Sequence, residues 1–220
     1  MSEVILPQSS LFLGIIPALI LLYISLKGYE GHYKEKNIFL TFVVGIIAGF
    51  LSVVIEALTI SIGVLFIVLF PLVEQFFKTI ILNMHRFQQK KETVIYGLSL
   101  GLGFGSIFTP FSMITSNFQV EDSLFLISLV VLGSFSIILL HGATGIYIGY
   151  GVYTSKLPKY LLLAILLHLP ITGLIFLTTV YNIEYLQIGL VIYSLIIYWF
   201  ATTRTMPQIL PRSNRRKRDS

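Results

Sequence analysis

The chain contains no cysteine among its 220 residues. Disulfides, thiol nucleophiles and thiolate metal sites are therefore excluded. Charge is scarce: Asp, Glu, Lys and Arg together make up 11% of the sequence. Aspartate occurs only as Asp122 and Asp219, so no buried aspartate pair is available for acid catalysis. No His-Glu-x-x-His zinc helix, no Gly-x-Ser-x-Gly elbow and no Walker loop occurs. No motif asks for a cofactor or a metal, and none is expected. The opening "MSEVILPQSS" lacks Lys and Arg, and no small-residue cleavage pattern follows the first apolar run. That run is read as a retained helix and not as a signal peptide.

What is abundant is apolar length. Hydrophobic residues make up 55% of the chain and the mean hydropathy is +0.88, the composition of a polytopic membrane protein. Runs of roughly 20 apolar residues cross a bilayer as helices. Seven such spans are predicted, at 8–26, 38–58, 61–83, 93–115, 123–153, 160–180 and 185–203. The second and third have no polar loop between them, and a turn near Ser61–Gly63 is expected. The fifth is long for one crossing. The fold class is thus an all-α integral membrane bundle of seven transmembrane helices. It divides into a single domain over 1–205 and a basic cytosolic tail over 206–220.

Positive charge follows alternate spans. Lys27, Lys34 and Lys36 follow the first; Arg86, Lys90 and Lys91 the third; Lys156 and Lys159 the fifth; Arg204, Arg212, Arg215, Arg216, Lys217 and Arg218 the seventh. The remaining loops, "SNFQVEDS" and "YNIEY", carry Glu121, Asp122 and Glu184 but no Lys or Arg. Basic loops stay in the cytosol, so an odd number of spans places the N-terminus outside and the C-terminus inside, in a multi-pass protein of the cell membrane. The net charge of +5 is thereby explained by topology, without a nucleic-acid partner. The tail "RSNRRKRDS" serves as a topology anchor and also suits anionic membrane lipids.

Five ionisable side chains fall at membrane depth: Glu56, Glu74, Lys78, His141 and His168. A charge near the bilayer centre costs roughly 2.5–3.5 kcal/mol on insertion scales, so such residues face the bundle interior. Glu74 and Lys78, in "FPLVEQFFKTIILN", stand one helical turn apart and are predicted to pair; the alternative for Lys78 is to snorkel to the cytosolic end. Glu56 lies near the outer interface and is read as structural. His141 shares a helix face with Gly145 and Gly149. His168 precedes Pro170, which frees a backbone carbonyl one turn earlier. In "YGLSLGLGFGSIF", Gly97, Gly101 and Gly105 form a stripe that lets another helix approach closely.

These residues bring out a resemblance. The segment "GIIPALILLYISLKGYEGHYKEKNIFLTFVVGIIAG" looks like the opening of PrsW-type membrane proteases. "VEQFFK" is similar to their Glu-Glu-x-x-Lys motif, with Glu74 at the first Glu and Lys78 at the Lys. "LLHGATG" and "LLHLPITG" match the two His-bearing helices. Over nearly its whole length the chain resembles the superfamily of PrsW proteases, the CAAX-processing and bacteriocin-protection (CPBP) proteases, and the Aph scaffold subunit of γ-secretase. It departs at three points. The second Glu of the first motif is Gln75; the Glu or His of the second motif is Phe108; the Asn or Asp four residues after the last His is Thr172. Water activation needs a positioned base, and an oxyanion needs preorganised donors.

The Aph subunit also lacks the protease set, keeps a His in each of spans five and six, and has a glycine-stepped span four. "GLSLGLGFGSIF" and "AILLHLPITGLIFL" look closest to it. The resemblance implies a non-catalytic scaffold that binds and stabilises another integral membrane protein, of which a presenilin-like aspartyl protease is one candidate. Gly97, Gly101 and Gly105 would receive the partner helix, while Glu74, Lys78, His141 and His168 would form a buried structural network. The alternative is a PrsW/CPBP-type endopeptidase, in which those four residues are catalytic. Glu74 is then the base and a His its partner or oxyanion donor, or Glu74, His141 and His168 hold a metal. A third reading, a small-molecule or lipid transporter, finds no inverted repeat or paired broken helices in its favour.

Overall fold

A computed structural model describes residues 10–115, 124–181 and 185–211. Among them every regular element is helical: α1 (Ser10–Leu26), α2 (Glu35–Thr59), α3 (Phe66–Leu82), α4 (Thr93–Ser106), α5 (Phe108–Thr115), α6 (Leu124–Tyr153), α7 (Leu157–Tyr181) and α8 (Leu186–Phe200). In hydrocarbon a helix satisfies its own N–H and C=O groups, which an irregular segment cannot do. Six stretches are long and apolar enough to cross a membrane: Glu35–Thr59, Ile62–Leu82, Thr93–Phe111, Val131–Tyr153, Leu157–Thr178 and Leu186–Ile209. Phe12–Leu26 is a shorter apolar helix. Together they overlie the seven expected spans as an all-helical bundle of the multi-pass membrane kind.

Two backbone details shape the spans. The turn expected near Ser61–Gly63 falls in the 3₁₀ segment Ile60–Leu65, where Gly63 takes φ 72° and ψ −135°. Glycine enters this region without a Cβ clash, so α2 passes into α3 with no polar loop. The expected fourth span, by contrast, is two helices. Pro110 offers no N–H and its ring crowds the carbonyl of Ser106; α4 ends there, and α5 begins after Ile107. Gly14 of α1 lies directly on that Ser106 carbonyl and beside Pro110.

The core is α4, in which every residue from Thr93 to Ser106 is buried. Glycines make that possible on several sides. Gly97, Gly101 and Gly105 lie against the backbone of α6 at Gly145, His141 and Ile138. Gly103 lies on the Phe42 carbonyl of α2, while Gly45 and Gly49 of α2 lie on Leu100 and Phe104. The glycine stripe expected to receive a partner helix is therefore filled by α6 of the same chain, because two facing small-residue stripes bring helices to backbone contact.

One end of the bundle gathers the basic loops. Lys34 N and Asn37 Nδ2 donate to the Tyr96 hydroxyl at the start of α4, at 3.1 and 3.2 Å. Thr93 donates to the Phe87 carbonyl in the next loop. Gly151 packs on Leu157 and Tyr160 at the α6–α7 turn, and Tyr150 donates to Gln208 after α8. Met206, Ile209 and Leu210, expected in the tail, are buried in the core. The folded domain thus runs to Leu210, because three apolar side chains there find a core to fill. Glu121, Asp122, Glu184, and the tail residues Arg212, Arg215, Arg216, Lys217 and Arg218 lie outside the described residues.

Gly101→Val is expected to cost about 3 kcal/mol or to prevent folding, since its Cβ would overlap the His141 backbone. Gly173→Ala, with no atom nearer than 3.7 Å to the new carbon, is expected to gain roughly 0.5 kcal/mol. Thermal unfolding of both variants in detergent checks the contrast; similar behaviour would contradict the packing.

Candidate functional site

Glu74, Gln75 and Lys78 stand on one turn of α3, His141 and Thr144 on one turn of α6, and His168 on α7. All six are buried, with Glu74, Gln75, Lys78 and His141 at 0% exposure. The α4–α6 glycine seam positions His141, whose own carbonyl faces Gly101. Its imidazole reaches α3 and the end of α4.

Glu74 is the centre. Ser52 of α2 donates to its Oε1 at 3.2 Å. His141 Nε2 stands 3.7 Å from the same oxygen without hydrogen-bonding it. His168 Nε2 stands 3.1 Å from Oε2, within ion-pair distance but off hydrogen-bond alignment. The far side of each imidazole is also engaged. Lys78 Nζ donates to His141 Nδ1 at 2.9 Å and to Thr144 Oγ1 at 2.8 Å. Gln75 Nε2 donates to His168 Nδ1 at 2.7 Å. The two imidazoles meet edge to face, with centroids 5.1 Å apart.

Lys78 and Glu74 were expected to pair directly. Instead His141 stands between them, because Lys78 takes its hydrogen-bond partners from α6 and none from its own helix. Nor does Lys78 snorkel, for its side chain is fully enclosed. Its ammonium lies 5.1 Å from the Phe104 ring centre, a cation–π contact that offsets part of its lost hydration. Glu56 forms no ion pair among the described residues, but it stands one turn from Ser52 on α2. Ser52 and Thr144 escaped the sequence reading. Spacing was the available signal: Ser52 is four residues before Glu56, and Thr144 three after His141.

The three departures from the protease pattern all lie at this centre or beside it. Phe108, at the start of α5, stacks on His141 with centroids 5.3 Å apart, and Phe104 lies 4.7 Å from the same ring. Gln75 holds His168. Thr172 is buried one turn after His168 on α7.

Glu74, His141 and His168 each offer a donor atom, all within 4.8 Å of one another, a ligand number that suffices for catalytic zinc. The hydrogen bonds do not fit a metal. Lysine ammonium and amide N–H are donors only, so both Nδ1 atoms accept, and a neutral imidazole then carries its proton on Nε2. That proton occupies the lone pair a metal would need, whereas metal-binding histidines ordinarily donate from the opposite nitrogen.

Glu74→Ala is expected to cost about 3–5 kcal/mol, because it leaves Lys78 as a buried charge without its opposite. Ser52→Ala removes one interhelical hydrogen bond and is expected to cost about 0.6 kcal/mol. Thermal unfolding in detergent checks the order; equal losses would remove Glu74 from the centre of the network. Compared with family models, curated proteins and solved structures, the chain matches none.

Proposed function

We propose that this protein is a non-catalytic membrane scaffold of the PrsW/CPBP/Aph type, which binds and stabilises another integral membrane protein. A presenilin-like aspartyl protease is the partner the resemblance suggests. In this reading the basic end faces the cytosol and the N-terminus lies outside. The partner meets the outer apolar faces of the bundle, since α4 is enclosed.

One observation carries the reading: Phe108 stacks on His141, at the motif position where the resemblance requires a Glu or His. A hydrolase of this kind needs a second polar group there to hold water, and a phenyl ring supplies none. The polar side chains are enclosed and bonded to one another, which ties α2, α3, α6 and α7 in one register. Hydrogen bonds between buried side chains of different helices specify how those helices are arranged.

The second reading, a glutamic endopeptidase, rests on Glu74, a carboxylate flanked by two imidazole Nε2 atoms. Purification from the native membrane in mild detergent, with mass spectrometry of what accompanies the chain, separates the two. The scaffold reading expects a stoichiometric integral membrane partner, lost with much of the thermal stability in His141→Ala/His168→Ala. It expects no cleavage of a membrane-tethered reporter beyond that of Glu74→Ala. A solitary protein whose cleavage disappears with Glu74→Ala would establish the endopeptidase instead.

A further inference from the structure

The inward faces of His141 and His168 suit a metal site, and their outward faces contradict it. Glu74 is flanked by two Nε2 atoms at 3.7 and 3.1 Å, the arrangement of two imidazoles and a carboxylate about a divalent ion. Behind each ring, where a metal site places an acceptor for Nδ1–H, stands a donor instead: Lys78 at 2.9 Å and Gln75 at 2.7 Å. We propose that Lys78 and Gln75 are tautomer locks, which keep the Glu74–His141–His168 centre a proton-bearing hydrogen-bond network closed to divalent metal ions.

The lock acts in two ways. Each donor favours the tautomer with an unprotonated Nδ1, which puts N–H on Nε2 and turns it toward the Glu74 carboxylate. That places two N–H groups 3.7 and 3.1 Å from one carboxylate, where a divalent ion would need lone pairs. Lys78 further adds a positive charge one imidazole away from where a metal would sit, and in an enclosed site that repulsion is weakly screened. Thr144, held at 2.8 Å, fixes the ammonium in place. Phe104 and Phe108 cover His141. The inference concerns the residues of the centre and holds whether the protein is a scaffold or an endopeptidase.

Reversing the donors tests it. Lys78→Glu/Gln75→Glu gives each Nδ1–H a carboxylate, which accepts and cannot donate, and frees both Nε2 lone pairs. The wild type and the double variant are purified in detergent with added zinc, dialysed, and analysed by plasma mass spectrometry and thermal unfolding. The wild type is expected to retain no zinc and to show no zinc-dependent shift. The double variant is expected to retain about one zinc per chain and to unfold at a higher temperature with zinc. A further Glu74→Ala change is expected to abolish both effects. Stoichiometric zinc on the wild type overturns the proposal, as does a folded double variant that binds none, or zinc binding that survives loss of Glu74. Should the double variant fail to fold, ¹⁵N spectra of histidine-labelled wild type decide. Both buried imidazoles are expected to be protonated at Nε2 alone, and a proton on Nδ1 of either overturns the lock.

Discussion

The closeness of α4 and α6 is the constraint on which the rest of the structure depends. Gly97, Gly101 and Gly105 face Gly145, His141 and Ile138, so that backbone meets backbone along the seam. In a bilayer no hydrophobic force draws helices together, and close van der Waals contact between small residues has to serve. The seam also aims side chains. With the His141 carbonyl pressed on Gly101, its imidazole is directed away from α4's glycine face, toward Lys78 and Glu74 of α3. A bulkier residue anywhere on the stripe would move the one histidine that joins the acid to the base.

The polar centre then fastens what the seam begins. Ser52 brings in α2, Glu74 and Lys78 bring in α3, His141 and Thr144 bring in α6, and His168 brings in α7. Charge inside hydrocarbon is costly, and here one carboxylate and one ammonium lie on either side of a single imidazole. Phe104 and Phe108 close the side that α4 and α5 provide. Such a network costs less kept intact than broken, since removing one member leaves another buried without its partner. That asymmetry suits a part whose work is to hold helices in register.

Much of this was legible from local sequence, and the limits have physical causes. The glycine stripe of α4, the turn at Gly63 and the burial of Glu74, Lys78, His141 and His168 all follow from patterns within single stretches of sequence. The interruption at Ile107 was open to inference from Pro110, but an uninterrupted apolar run concealed it. The end of the domain was misplaced because Met206, Ile209 and Leu210 lie amid basic residues and look like tail. The partner of Lys78 was misassigned because a one-turn spacing to Glu74 favours pairing in an isolated helix, whereas His141 and Thr144 offer better-placed acceptors on α6.

By itself, then, the sequence determined an all-helical bundle of the multi-pass membrane kind, the rough course of its apolar helices, and which polar residues it buries. Those are properties of hydrophobic length and helical period, each contained within some twenty residues. Only the tertiary structure decided which atoms meet. Lys78 and His141 are 63 positions apart and Gln75 and His168 are 93 apart, yet their side-chain nitrogens stand 2.9 and 2.7 Å from one another. Tertiary packing also turned α4's glycine face inward, because the helix that fits it belongs to the same chain.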